Sequence, residues 1–543
     1  VSNIYINKNI INGSIVLGPK SNQKVNNATI INNTVNSPNT YAVTLSKRAT
    51  NVAVTDNILY AKELAGDEAV SNNGESNIVL NNKPTTLTIT DDTYNNYFDS
   101  EGVFNYTDPV SKVVLSGKFV NNHIFTFSGQ EILLTGTDDT ILYNATITSK
   151  DNSKLTIKDL TINNTDTDSR NAIILNSKGN TIDNVKIVKN TTTGKAQLVI
   201  INGDNNKVVN SNITVIGPSD SVDYFSDPSI APTVNIIVSS NNNIIDNNYL
   251  YIYASTASGY GTIEAITVQA PSGVKLTNNT ITNNIITGSG TDYLYGINMG
   301  GYVYNNTLDG NNINITSNTY ANGIQFFQSP ACNNTITNNI IDVTAGYSEG
   351  QVTYGIIFSS WNDGNFENNR IHNNTIYVKG NETYGIEIFA YPYGSSSVVK
   401  NTTISNNTII SNGTYASGIA LMSNDYNITG NTIIVTGTTN ATRGASPDWI
   451  KPTTSGMILQ QVKDVTITDN KINVTTGPGF RILDSSSNIN ITNNTVYTTQ
   501  GLGDKSVLIV SGTNVKVEDN LPIETHNTTI TIDGNLELYK QNT

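Results

Sequence analysis

Along most of the chain, apolar and polar positions alternate in short runs broken by Asn, Gly or Asp. In 322–344, Ile324 and Phe326 share one side of a run, and Ile341 and Val343 share one side of another. Alternation of period two marks half-buried strands, and the β-branched Ile and Thr suit a pleated surface. The breaks recur as Asn-Asn-Thr-Ile at 278–281, 333–336, 373–376 and 406–409, with weaker copies at 306–308, 431–433 and 494–496. A second element, a glycine followed by apolar, any, apolar, starts at Gly296, Gly323, Gly355, Gly385, Gly418, Gly456 and Gly479. Its steps are 27, 32, 30, 33, 38 and 23 residues. A recurrence of that length with short strands predicts a solenoid. Strand, turn, strand, Asn-Asn turn, strand in each repeat makes it a right-handed parallel β-helix, all-β, with three strands and three corners per coil.

Asparagine tolerates positive φ, so the Asn-Asn pair suits a corner. Inward corner asparagines on successive coils stack about 4.8 Å apart, and each amide can donate to the next, which offsets the cost of burying it. The expected ladder is Asn284, Asn312, Asn339, Asn374, Asn407, Asn431, Asn470, Asn494 and Asn520, with Asn164, Asn184, Asn212 and Asn248 as earlier candidates.

The pattern divides the chain. Residues 1–64 read as the C-terminal coils of a preceding β-helix and 65–90 as a connector. Residues 91–525 read as the main β-helix, and 526–543 as an extension or the start of a next module. Thr90-Asp91-Asp92-Thr93 before Tyr94, Tyr97 and Phe98 predicts a short N-capped helix near 92–99 that covers the open end of the main solenoid.

Charged residues are 13% of the chain and the formal net charge is −13. Without a basic stripe, nucleic acid is not an expected partner. The lone Cys332 excludes an internal disulfide and reads as a buried, inert thiol. The three histidines, His123, His372 and His526, have no zinc-ligand spacing. No metal, cofactor or catalytic set is expected, and any membrane or wall anchor is expected outside these residues. Asn-x-Thr acceptors for N-glycosylation are dense, and Asn381, Asn412, Asn427 and Asn440 are the corner candidates.

Three features occur together: the Asn/Thr-rich repeats, the opening segment Ile89-Thr90-Asp91-Asp92-Thr93-Tyr94-Asn95-Asn96-Tyr97-Phe98, and the closing segment Leu59-Tyr60-Ala61-Lys62-Glu63-Leu64-Ala65-Gly66-Asp67-Glu68-Ala69-Val70. With them the chain resembles the large adhesin-like, Asn/Thr-rich surface proteins of methanogenic archaea over nearly its whole length. The resemblance implies a secreted, wall-associated protein of tandem β-helix modules with an adhesive role and no catalytic residues.

Three function classes follow. The first is a non-catalytic extracellular adhesin or surface-structure protein, a rigid rod whose loop-rich face meets cell-surface glycans or proteins. Long insertions flank the Gly-initiated strands and carry aromatics, so Tyr347, Tyr354, Trp361, Tyr391, Tyr393 and Trp449 are the expected partner-binding residues. The second is a fibre or cell-wall-layer subunit that joins copies of itself end to end. The third is a polysaccharide hydrolase or lyase, which needs carboxylates converging from neighbouring coils. Its candidates are Asp138 with Asp139, Asp166 with Asp168, and Asp363 with Glu387 near Arg370 and His372.

Overall fold

The computed structural model describes residues 1–61, 64–107, 109–165, 171–190, 197–217, 233–254, 262–269, 273–291, 293–327, 330–360, 365–390, 399–440, 450, 452–483, 486–499, 501–509 and 511–522. Strand accounts for 65% of the chain, and helix among the described residues is limited to short 3₁₀ turns. The fold is a right-handed parallel β-helix. The chain forms two compact units, Val1–Thr161 and Ile162–Thr543.

One coil of the second unit shows how sequence makes shape. Strand Thr335–Thr337 lies in a first sheet, Ile340–Thr344 in a second and Val352–Ser360 in a third. The next coil repeats the course in parallel register, with Thr335 opposite Arg370, Ile340 opposite Thr375 and Val352 opposite Glu382. Ile336, Ile341, Val343, Ile356 and Phe358 point inward and are fully buried, each worth roughly 1.5–3 kcal/mol relative to exposure. Because register is preserved, like side chains meet along the axis: Phe326 and Phe358 stack with centroids 4.2 Å apart.

Each Asn-Asn corner divides its work between its two residues. Asn338, Asn373, Asn406 and Asn493 hold φ of 54–55°, the left-handed region that Asn and Gly tolerate best. The second residue turns inward. At the corner between the first and second sheets the rungs are Asn248, Asn284, Asn311, Asn339, Asn374, Asn407, Asn431, Asn470, Asn494 and Asn520. Each Nδ2 donates to the next Oδ1 over 2.8–3.0 Å. That Oδ1 also accepts the preceding rung's backbone N–H, as Asn374 does from Asn339 at 3.0 Å.

Four expected rungs are corrected. Asn312 is exposed on a strand, and the rung is Asn311, because glycine (Gly310, φ 66°) takes the left-handed position there. Asn184 is itself the left-handed residue, with Val185 buried beside it. Asn212 is exposed, and Ser211 fills the rung, its N–H donating to Asn248 Oδ1 at 3.0 Å. Asn164 is buried at the end of strand Thr161–Asn164, away from a corner.

A second inward ladder occupies the corner that precedes the first sheet: Asn180, Asn206, Asn243, Asn279, Asn306, Asn334 and Asn369. Beyond it, the buried Thr402, Tyr426, Val465, Ile489 and Val515 follow the equivalent left-handed residues Asn401, Asp425, Asp464, Asn488 and Asn514. The Asn-Asn-Thr-Ile copies at 278–281 and 333–336 belong to this corner, and those at 373–376 and 406–409 to the other.

In the first unit, strands Ser2–Asn7, Val25–Ile31, Ala49–Thr55 and Ile78–Leu80 stack in parallel. An inner ladder runs through Asn9, Asn33, Asn57 and Asn82. The stretch expected to be a connector contains Val70–Asn72 and Ile78–Leu80, which pair with Val43–Leu45 and Ala49–Thr55 and complete the last coil. Thr85–Ile89 then starts a new set by pairing with Val110–Leu115. The expected capping helix is a single 3₁₀ turn, Tyr94–Asn96, with no side-chain cap bond from Thr93. Aromatic packing holds this turn. Tyr94 stacks on Phe98 at 4.7 Å, and Phe98 meets the edges of Phe125 and Phe127 at 5.3 and 5.8 Å.

Candidate functional site

The third sheet of the second unit differs from an ordinary solenoid face because both of its sides are buried. Every residue of Val352–Ser360 is buried, where a half-buried strand would alternate. Its inner side is shaped by the glycine column. A Cβ on Gly385 would lie 2.2 Å from Ile409 Cγ2, across the coil in the second sheet. The glycines therefore let the two sheets approach closely.

The outer side carries two columns in register. One runs Glu264, Tyr295, Asn322, Tyr354, Tyr384, Ser417. The other runs Thr267, Asn298, Gln325, Ile357, Glu387, Ala420, Ile458, Arg481. Towards the N-terminal end the surface is polar. Thr267 Oγ1 donates to Glu264 Oε2, and Asn298 Nδ2 reaches both carboxylate oxygens at 3.1 and 3.2 Å. Asn322 Nδ2 donates to Gln325 Oε1. Asn298 Oδ1 and Asn322 Oδ1 are buried acceptors without a donor among the described residues. Further along, the face turns apolar and aromatic. Tyr354 and Tyr384 stack at 5.4 Å and 15° and join Ile357, Phe389, Met422 and Ile458 in a separate outer core. Glu387 sits among these tyrosines, and the Tyr354 hydroxyl donates to it.

Both carboxyl groups are perturbed, and burial is the main cause. Desolvation raises Glu264 from 4.5 to about 7 against the hydrogen bonds from Thr267 and Asn298, and Glu387 from 4.5 to about 8 against the Tyr354 bond. Burial and the nearby Glu387 push both tyrosines well above 10.0. Between pH 4.5 and about 8 the folded chain therefore holds protons that the unfolded chain has released. Stability from these groups is complete below 4.5 and falls as pH rises through the folded values. Thermal unfolding is expected at higher temperature at pH 5 than at pH 8.5, and Glu387→Gln should flatten that slope. An unchanged slope in the variant would show that Glu387 is not protonated in the fold.

Of the aromatics expected to contact a partner, Tyr347 is exposed in the turn before Val352–Ser360. Tyr354 is corrected: its ring is a packing element, buried and stacked on Tyr384. Trp361, Tyr391, Tyr393 and Trp449 lie outside the described residues. Among the acceptor asparagines, Asn412 and Asn427 are exposed, and half-buried Asn440 receives Arg481 Nη2 on its Oδ1 at 2.6 Å. Asn381 is corrected as well. It sits where strand Thr375–Ala390 bends from the second sheet to the third and is 4% exposed, which leaves no room for a glycan.

Among the described residues, Glu387 is not brought together with Arg370 and His372. Arg370 and His372 lie in the first sheet, where His372 Nδ1 meets Ser405 Oγ at 2.9 Å, whereas Glu387 lies in the third. Asp139 accepts from Thr137 Oγ1 in an exposed turn, and Asp166, Asp168 and Asp363 fall outside the described residues. Cys332 is buried, its Sγ 3.6 Å from Asn365 O, and burial raises its thiol. Among the described residues no three His, Cys, Asp or Glu side chains gather as a metal site, and no helix is long and apolar enough to cross a membrane.

Comparison with known proteins agrees with the architecture. The family described as "Right handed beta helix region" matches residues 349–522. A search of curated proteins found no match. Among solved structures, the alginate lyase AlyF-OU02 is similar at 15% identity over 79% of this chain and 88% of its own, with a TM-score of 0.43. The polysaccharide lyase Pedsa3628 from Pseudopedobacter saltans is similar at 14% identity over 72% and 84%, with a TM-score of 0.40. The Dettilon tailspike protein is similar at 16% identity over 72% of this chain, with a TM-score of 0.36, and the match spans 62% of the tailspike's length. At these identities the likeness is one of fold.

Proposed function

We propose that this protein is a non-catalytic extracellular surface protein, an adhesin or a component of a surface structure, that meets glycans or protein partners along the sides of its coils. The observation that carries this reading is the outer side of the second sheet. There Tyr249, Ile285, Asn312 and Ile340 form one exposed column, and Ile410, Ile434, Asn473 and Tyr497 follow one another in a second. Tyr249, Ile285, Ile340, Ile434 and Tyr497 are all more than a third exposed. Large apolar groups held in register on a flat face, with Asn and Thr between them, suit the faces of sugar rings or a matching protein surface.

The two carboxylates of the third sheet support the absence of catalysis. Glu264 has Val234 and Tyr295 as register neighbours, and Glu387 has Ile357 and Ala420. The two are four coils apart, roughly 19 Å at the strand spacing, well beyond the reach of paired carboxylates acting on one glycosidic bond. Each is also buried.

Incubation with alginate, pectins, mucin glycans and wall polymers is expected to release neither reducing ends nor unsaturated products. On glycan arrays or whole cells, binding is expected to fall when Tyr249 and Tyr497 are both changed to Ser, with the melting temperature unchanged. Product release that Glu387→Gln abolishes would place the protein among the enzymes instead.

A further inference from the structure

The last coil of the stack that begins at Ser2–Asn7 and the last described coil of the second unit close in the same way. Strands Ile58–Ala61 and Thr495–Thr498 each fold back through a short antiparallel pairing, Tyr60 with Ala65 and Tyr497 with Leu502. Each leads into a 3₁₀ turn, Gly66–Ala69 or Gly503–Ser506, whose second residue is aspartate. Gly66 and Gly503 hold φ of 59° and 55°. A Cβ on either would lie 2.2–2.8 Å from the carbonyl oxygens of Asn82 and Pro84, or of Asn520 and Pro522, so a glycine is needed there. After the last rung the chain makes the same pair of backbone bonds. Lys83 N–H donates to Asn57 O at 2.6 Å and Leu59 N–H to Lys83 O at 2.7 Å, and Leu521 does the same with Asn494 and Val496 at 2.6 and 2.7 Å.

The aspartate takes the place of the missing rung. Inside the ladder, Asn494 N–H and Nδ2 donate to Asn520 Oδ1 at 3.0 and 2.8 Å. At the end, Asn520 N–H and Nδ2 donate to Asp504 Oδ1 at 3.2 and 2.6 Å. Asn82 donates to Asp67 Oδ1 at 3.0 and 2.7 Å. Every rung donates towards the C-terminal end, so the column of aligned amides ends there in donors. A carboxylate at that end makes charge-assisted bonds, which are stronger than neutral ones. It accepts but, ionised, has no N–H to pass on. An aspartate therefore fits the end of the column and no interior rung.

We propose that the Gly-Asp turn is a stop for coil addition: Asp504 occupies the acceptor position that an asparagine rung of a second copy of this chain would otherwise fill at this end. An open ladder end presents unpaired donors and a strand edge, which are templates for association. Supplying the acceptor from within the last coil removes that template. The inference does not depend on what the sides of the coils bind, and it argues against end-to-end joining at this end.

The test uses the full chain with Asp504→Leu and Asp504→Asn, the second of which retains an acceptor oxygen. Hydrogen exchange should rise at least tenfold at the amides of Asn520, Leu521 and Val496 in Asp504→Leu, and light scattering after size exclusion should show association that grows with concentration. Asp504→Asn should exchange like the parent and remain monomeric. If Asp504→Leu disturbs more than the last coil, Asp504→Ala, which has no side-chain acceptor, replaces it with the same expectations. A leucine or alanine variant that loosens the coil yet stays monomeric overturns the proposal, since the turn then only anchors the coil. Equal association of Asp504→Asn and Asp504→Leu overturns it too, because association would not follow from the lost acceptor.

Discussion

Asn339→Leu should be among the most damaging single substitutions in the chain. Asn339 Oδ1 accepts both the N–H and the Nδ2 of Asn311, at 3.0 and 2.9 Å, and its own Nδ2 donates to Leu308 O and Asn374 Oδ1, each at 2.9 Å. Leucine fills a similar volume but leaves two buried donors on Asn311 without an acceptor, at roughly 1–3 kcal/mol each. Asn374 Oδ1 keeps the backbone N–H of residue 339, so most of the loss falls on the preceding coil. The expected net cost is roughly 2–5 kcal/mol, read as lost exchange protection in 307–317 before global unfolding. Asn412→Ala, on the exposed side of the second sheet, should stay within about 0.5 kcal/mol. Equal destabilisation by the two would remove the ladder as a source of stability.

The fold was legible because it is written in a repeat. Ile324, Phe326, Ile341 and Val343 were expected to point inward and are fully buried. The ladder was legible to within one residue. Its misreading at Asn312 has a physical cause, since the left-handed position accepts Gly as readily as Asn, and Gly310-Asn311-Asn312 contains two possible pairs. The second ladder is hidden in the sequence because both corners use the same residue types for the same reason. Its signal lay in the spacing: left-handed residues five apart, such as Asn333 and Asn338 or Asn368 and Asn373, mark two corners flanking one short strand. The closing turn was seen once, at 59–70, but Val496-Tyr497 followed by Gly503-Asp504 and Val507 repeats its spacing.

The candidate site was less legible, because outward side chains in a β-helix carry no periodic constraint. The sequence suggests exposure for Tyr354 because it flanks an insertion, and for Asn381 because it stands at a corner. The burial of Tyr354 follows from a second outer core that covers the third sheet, and that of Asn381 from its place inside the continuous strand Thr375–Ala390; sequence alternation cannot announce either, since an all-buried strand and an irregular one look alike. One signal was available: Glu264 is the single charged residue in Thr262–Gln269, otherwise apolar apart from Thr and Gln. A lone carboxyl in such a strand must be hydrogen-bonded or protonated if it is buried, and here it is hydrogen-bonded and strongly shifted.

Gly385→Ala should reveal what the glycine column does. The new Cβ would stand 2.2 Å from Ile409 Cγ2 and 2.6 Å from Gly418 O. The first clash is with a side chain that can adjust, the second with the backbone of the next coil, which cannot move without disturbing the pairing of Ile386 with Ile419. Overpacking of this kind typically costs about 1–3 kcal/mol. The contribution of each clash is separable, because Ile409→Ala removes the first and leaves the second. If the sheets are held apart mainly by the isoleucine, the double variant should be no less stable than Ile409→Ala alone. If the carbonyl of Gly418 dominates, the two costs should add, and amides in 382–390 and 415–421 should exchange faster in both glycine variants. The second outcome is expected, because the shortest backbone approach recurs at Gly296, Gly323, Gly355 and Gly456, where the added Cβ would lie 2.5–2.6 Å from a glycine carbonyl oxygen on the next coil. A stable Gly385→Ala with unchanged exchange would mean that the sheets have room, and that the glycines recur for some reason other than close approach.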